Sequence, residues 1–159
     1  AYWIDQPGNI ANAGDTAIGH YTQSTYFPDA NGAETEKFAL DFKEKTGNIP
    51  LNVQGHTVHG MWGLGEALKG LKGKAGDKLS VKALAFSMEK VTIQTSMGPI
   101  KMRAEDHQAL LPLAVAVVSK EAKFKADNTD KGFKTIKLIP GAEAAGPVQA
   151  SCKMERPAP

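Results

Sequence analysis

An α/β fold with mostly parallel strands is predicted by three features of this 159-residue chain. Residues 33–45 and 52–71 carry apolar side chains at helical spacing, whereas 18–27, 91–95 and 133–139 are rich in β-branched and aromatic residues. The run Leu111–Lys120 is almost unbroken in its apolar character, as in a strand buried on both faces. Helices alternating with strands are the usual pattern of parallel sheets.

Each element has a local reason. Gly8 to Thr16 supports one or two helical turns, capped by Asn9 or Asn12 and ended by Gly14-Asp15. The strand Ile18–Phe27 stops at Pro28-Asp29. Phe38, Leu40 and Phe42 make 33–45 amphipathic, and Thr46-Gly47-Asn48 supplies its C-cap with Pro50 beyond. In Asn52–Leu71, the residues Val53, Met61, Leu64, Leu68 and Leu71 recur near a 3.6 period. The glycines 55, 60, 63 and 65 cost an isolated helix up to about 1 kcal/mol each, so this helix needs close packing to exist. A helix over Leu79–Glu89, a strand over 91–95, a turn at Met97-Gly98-Pro99 and a short strand at Ile100–Arg103 follow. Phe133–Ile139 alternates and ends at Pro140-Gly141, and the tail from Ala142 has no clear period.

Composition bounds the function. Hydrophobic residues at 42% and charged residues at 23% are ordinary for a globular domain, and exclude a disordered tail or a fibre. No run reaches the roughly 18 apolar residues of a membrane span. The net charge of +2, carried by lysine with only two arginines (Arg103 and Arg156), gives no footing for nucleic-acid binding, which favours the arginine fork. The lysines at 69, 72, 74 and 78 read as the solvated end of a helix and its loop. Cys152 is the only cysteine, so no disulfide closes within the chain. It is a reduced thiol, a buried small hydrophobe or one half of a bridge to a cysteine outside this sequence. The start, Ala1-Tyr2-Trp3-Ile4-Asp5, has neither an initiator Met nor a leader pattern and reads as the end of a strand entered midway, which predicts a fragment or a processed chain.

No catalytic constellation emerges. Neither a nucleophile elbow nor a phosphate loop is present, and Gly63-Leu-Gly-Glu, half of a dinucleotide fingerprint, falls inside a helix where packing explains it better. His56 and His59, three apart, could fill two positions on zinc with His20, His107 or a carboxylate, but without a Cys pair or an HExxH base no metal is expected. Glu34/Glu36 and Glu105-Asp106 read as solvated carboxylates. No enzyme and no cofactor are predicted.

Several landmarks stand in a fixed order. They are Ile18-Gly19 to Tyr26-Phe27-Pro28, then Phe38-x3-Phe42-Lys43-x2-Thr46-Gly47-x2-Pro50, a small-residue helix ending in Glu66-Ala67-Leu68, and a helix with Val81, Ala83 and Leu84. Gly98-Pro99-Ile100-x2-Arg103-x2-Asp106-His107-Gln108 precedes the apolar strand. Together they resemble the C-terminal part of the periplasmic substrate-binding proteins of ABC transporters, of the branched-chain amino acid type, over essentially the whole chain.

The resemblance implies an incomplete type I periplasmic binding fold: portions of two Rossmann-like lobes joined by a hinge. Residues 1–26 would belong to the second lobe, 27–110 to the first, and 111–159 to the return into the second lobe and the tail. It implies a non-enzymatic, extracytoplasmic solute-binding component of an importer, located in the periplasm. Its partners would be a small amino acid-like or aromatic carboxylate ligand, a membrane permease and the missing N-terminal half of the same protein. Tyr2, with Trp3 as its neighbour, and Gln54 fall where family members contact ligand, and His56 in the same turn of the helix is a further candidate contact. Gln54 replaces an apolar or aromatic contact and His59 a common Tyr, which favours a larger, planar or acidic ligand. The alternative of the same fold is a ligand-sensing domain of a receptor or regulator.

Overall fold

The computed structural model describes residues 4, 6, 8–71, 77–126 and 128–155. Tyr2 and Trp3, and with them the expected strand end at the start of the chain, lie outside the described residues, as do Lys72 and Lys74.

Helix α1 (Asn9–Ala13) runs into a 3-10 turn (Gly14–Ala17) and then strand β1 (Tyr21–Ser24). Three helices follow: α2 (Ala33–Thr46), α3 (Asn52–Lys69) and α4 (Val81–Met88). The hairpin β2 (Thr92–Thr95) and β3 (Gly98–Met102), the short β4 (Ala109–Leu110), β5 (Leu113–Ser119), β6 (Gly132–Ile139) and α5 (Gly141–Ala144) complete the order. Gly47 ends α2 with φ 81°, its N–H bonded to the Lys43 carbonyl at 2.8 Å, a conformation glycine adopts without cost. Ser80 caps α4 by accepting the Ala83 N–H at 3.2 Å.

Two three-stranded sheets form, in the orders β1-β5-β6 and β2-β3-β4. Every pairing among the described residues is antiparallel, where helix–strand alternation predicted mostly parallel strands. The reason is connectivity. Thr95 pairs directly with Gly98, and a two-residue turn can join only antiparallel strands. The helices α2 to α4 lead from one sheet to the other, so they do not close a parallel crossover within either.

Strand β5 is central, yet it is not equally buried on both faces. Ala114, Ala116 and Val118 are fully enclosed while Leu113, Val115 and Val117 are half-buried. The enclosed face packs with Ile10, Ala17, Tyr26, Phe27, Leu51 and Phe133. Met97, in the β2–β3 turn, is 2% exposed and plugs into the same core.

Helix α3 reverses a sequence expectation. Its long apolar side chains do not form the packed face: Val53, Met61 and Leu68 are exposed, and the buried positions are Gly55, His59, Gly63 and Ala67. Three of the four residues in this column, spaced by four, are Gly or Ala and bring the backbone close to its neighbours, while His59 inserts its ring between them. A Cβ on Gly55 would sit 2.3 Å from Cγ of Tyr26, and one on Gly63 would sit 2.6 Å from Cδ1 of Ile93. Gly63 therefore packs, as its position within a helix suggested. On the far side, the Ser87 hydroxyl of α4 donates to the Ala67 carbonyl at 2.6 Å and ties α4 to α3.

Candidate functional site

The N-terminal half of α3 gathers the polar groups of most interest. It starts after Pro50, with Leu51 at the N-cap offering no side-chain acceptor. Gln54 fills that role in part: its Oε1 accepts the Leu51 N–H at 3.1 Å, which satisfies a backbone donor at the helix entry. One turn on, His56 hydrogen-bonds through Nε2 to the Thr25 hydroxyl, tying α3 to the exit of β1. Partial burial holds the His56 imidazole below the usual histidine range, so it is neutral at pH 7.

His59 lies deeper, 4% exposed, with Nε2 3.0 Å from the Ser96 hydroxyl of the β2–β3 turn. Around it stand Tyr26, Phe38 and Trp62, with ring centroids 6.0, 5.8 and 5.5 Å away. Burial first, and the neighbouring His56 second, push its pKa down to about 4. Such a neutral imidazole can orient or accept a hydrogen bond. It offers no charge to a ligand near neutral pH.

Between α3 and the β2-β3-β4 sheet runs a groove of about 400 Å³, within the size range of small-molecule sites. His56, His59 and Gly60 line one side, and Ile93, Ile100 and Met102 the other. It is apolar with two convergent imidazoles. Gln54 is absent from its walls and faces the helix entry instead.

Two polar atoms at this end of α3 were not singled out in the sequence. The Tyr26 hydroxyl and Asn52 Oδ1 are buried without a hydrogen-bond partner. Neither residue lines the groove. Burial, helped by Asp29, raises the Tyr26 phenol far above its ordinary value and keeps it neutral. Nothing in the sequence distinguishes Tyr26 from any core tyrosine, because its role depends on facing Gly55 across the fold.

The remaining candidates are dispersed. His20 contacts the Ala17 carbonyl through Nδ1 at 3.2 Å, and His107 pairs with Glu89. Among the described residues, no three His, Cys, Asp or Glu side chains come together as a metal site. Asp106 is not a freely solvated carboxylate: Arg103 grips it through two nitrogens, at 2.9 and 2.6 Å. Glu36 pairs with Lys123 at 2.5 Å. Cys152 is exposed, so it is not the small core hydrophobe that was one of its readings. Among the described residues no helix is long and apolar enough to cross a membrane.

A family model described as periplasmic binding protein matches residues 3–123. A Leu/Ile/Val-binding protein homolog 4 from Brucella abortus (strain 2308) is 44% identical over 155 residues, 98% of this chain and 37% of the relative. Among solved structures, a leucine-, isoleucine-, valine-, threonine- and alanine-binding protein from Brucella ovis, in its closed conformation, superposes with a TM-score of 0.89. It is 44% identical, over 98% of this chain and 40% of that one. A solute-binding protein of an ABC transporter from R. palustris, in complex with benzoate, shares the fold at 23% identity and a TM-score of 0.64, over 93% of this chain and 38% of that one. The chain thus spans well under half the length of these relatives.

Proposed function

This chain belongs to the periplasmic binding protein family, and from that premise we propose that it forms part of the solute-capturing component of an ABC importer. The protein would hold an amino acid-like or aromatic carboxylate ligand without altering its bonds. The observation that carries this reading is the fold match of 0.89 at 44% identity, over 98% of the chain, to a protein named for binding leucine, isoleucine, valine, threonine and alanine.

The ligand would close between two lobes, with residues 1–26 and 111–159 in one and 27–110 in the other. The pairing of β1 with β5, distant in sequence and adjacent in space, supports grouping the first and last segments. Tyr2, Trp3, Gln54 and His56 are the proposed contacts. The remainder of the cleft would come from the rest of the longer protein, and delivery would be to a membrane permease facing the periplasm. A neutral His56 at the groove edge suits hydrogen bonding to a carboxylate or amino group and leaves ion pairing to other residues.

The test is a thermal-shift screen of the full-length protein against amino acids and benzoates. A ligand that binds only the folded state raises the midpoint progressively with concentration. The expected hits are small amino acids, aromatic carboxylates or both. No shift with any member of either class contradicts the reading.

A further inference from the structure

We propose that His59 and the β2–β3 turn it holds form an acid-loosened joint, through which protonation frees the hairpin from α3. The geometry of the turn makes it a joint. Its two residues, Ser96 and Met97, are 6% and 2% exposed, so the tip is inserted into the main core and does not project into solvent. Polar contacts from two helical regions hold it there. His59 of α3 bonds the Ser96 hydroxyl at 3.0 Å, and Asn31, just before α2, donates from Nδ2 to the Ser96 carbonyl at 3.1 Å. Only the first of these can change with pH.

The surroundings of His59 decide what a proton does there. From its own helix it faces His56 and Trp62, from the exit of β1 it faces the Tyr26 phenol, from α2 it faces Phe38, and from the hairpin it faces Ser96. None supplies a negative charge, and His56 supplies a positive one if it also protonates. The Ser96 hydroxyl can accept from an imidazolium as readily as it donates to a neutral imidazole, so the hydrogen bond itself survives. What destabilises the joint is a charge with no counterion in an apolar enclosure. Opening the hairpin admits water to the ring and removes that cost. It also widens the groove beside His56, because Ile93 and Ile100 of the hairpin form its far wall.

The sign follows from the depressed pKa of about 4 against 6.5 for a free imidazole. Above pH 6.5 neither state binds the proton and the joint is at full strength. As pH falls from 6.5 towards 4 the open state takes the proton first, and the closed state loses up to about tenfold in population ratio per pH unit. Below pH 4 both states are protonated and the effect levels off.

Hydrogen exchange of the full-length protein, corrected for intrinsic exchange rates, tests this together with imidazole NMR. The expected result is loss of protection across residues 92–102 beginning below about pH 6, while the β5–β6 amides stay protected. His59 should titrate well below 6, and a His59→Gln variant, which keeps a hydrogen-bonding group but no proton to gain, should hold its hairpin protection flat with pH. His56→Gln provides an independent arm: it should raise the His59 midpoint by removing the like charge. A His59 midpoint near 6.5, simultaneous loss of protection in both sheets, or the same pH-dependent loss in His59→Gln would each overturn the proposal. If the glutamine variant does not fold, the wild-type midpoint and the His56→Gln shift decide alone.

Discussion

The aromatic ring of Tyr26 lies directly against the backbone of Gly55, so close that a Cβ built on the glycine would fall 2.3, 2.6 and 2.8 Å from three ring carbons. This contact sets how near α3 comes to the exit of β1. Through that distance it sets where Thr25 meets His56, a polar link between the two elements at the groove. Tyr26 is itself fully enclosed, with Phe38 edge-on at 5.5 Å, so the ring has nowhere to retreat.

Gly55→Ala is therefore expected to destabilise the protein by about 1–3 kcal/mol through overpacking, despite removing a helix penalty of up to about 1 kcal/mol. Chemical denaturation checks the sign. A gain in stability would mean that helix propensity outweighs the ring contact, which the geometry denies. Gly65→Ala, with open space at its Cβ position, should show the opposite sign and stabilise.

Tyr26→Phe separates folding from binding. The hydroxyl has no hydrogen-bond partner, so its removal should leave stability unchanged or raise it by up to about 1 kcal/mol. Because Tyr26 is fully enclosed, ligand affinity should be unchanged in the same variant. Calorimetry beside denaturation reads both quantities.

Asp29 reaches across the fold to Thr135, accepting its backbone N–H at 3.0 Å and its hydroxyl at 2.6 Å. The contact lies beside the irregularity where β6 slips register against Val115 and Ala116 of β5, a place where ladder bonding is interrupted and a side chain must satisfy the backbone. Asp29→Ala should cost about 2–4 kcal/mol because two bonds to a charged acceptor are lost. Asp29→Asn, which keeps one acceptor oxygen, should cost less. Equal losses in the two variants would show that the hydrogen bonds are not what Asp29 contributes.

Arg103 grips Asp106 with two nitrogens and donates with a third to the Gly146 carbonyl at 2.7 Å, anchoring the tail beyond α5. Lysine lacks the planar fork, so Arg103→Lys should release the tail and speed proteolysis beyond residue 140 while leaving the sheets folded. The Arg103 guanidinium holds the Asp106 carboxyl down at about 2, from an ordinary 3.8. Its contribution is therefore fully present above pH 3.8 and is lost as pH falls towards 2. In Arg103→Lys the Asp106 carboxyl should titrate higher, and carboxyl NMR measures the difference.

The helices were legible because their boundaries are chemical. Thr46-Gly47 and Pro50 bracket the α2–α3 junction, and α3 was expected over 52–71 and runs over Asn52–Lys69. The face that α3 buries was not legible. Apolar periodicity pointed to Val53, Met61 and Leu68, whereas packing selected Gly55, Gly63 and Ala67, since a helix pressed on a ring needs small residues more than apolar ones. Strand direction failed for a related reason: alternation of helices and strands says nothing about which sheet a strand joins. At the site, the histidines announced themselves as residue types, but only the fold reveals that His59 is enclosed by aromatic rings and that Gln54 turns back to Leu51.

The central claim is capture of a small carboxylate-bearing solute without chemistry, with the start of the chain and the first turns of α3 forming part of the cleft. Isothermal titration of the full-length protein with the best thermal-shift ligand, in wild type, Trp3→Ala, Gln54→Ala and His56→Ala, tests it most directly. The account predicts saturable one-to-one binding of an unmodified ligand, weakened by about 1–3 kcal/mol in at least one variant that remains folded. Unchanged affinity in all three variants, or conversion of the ligand to a product, would contradict it.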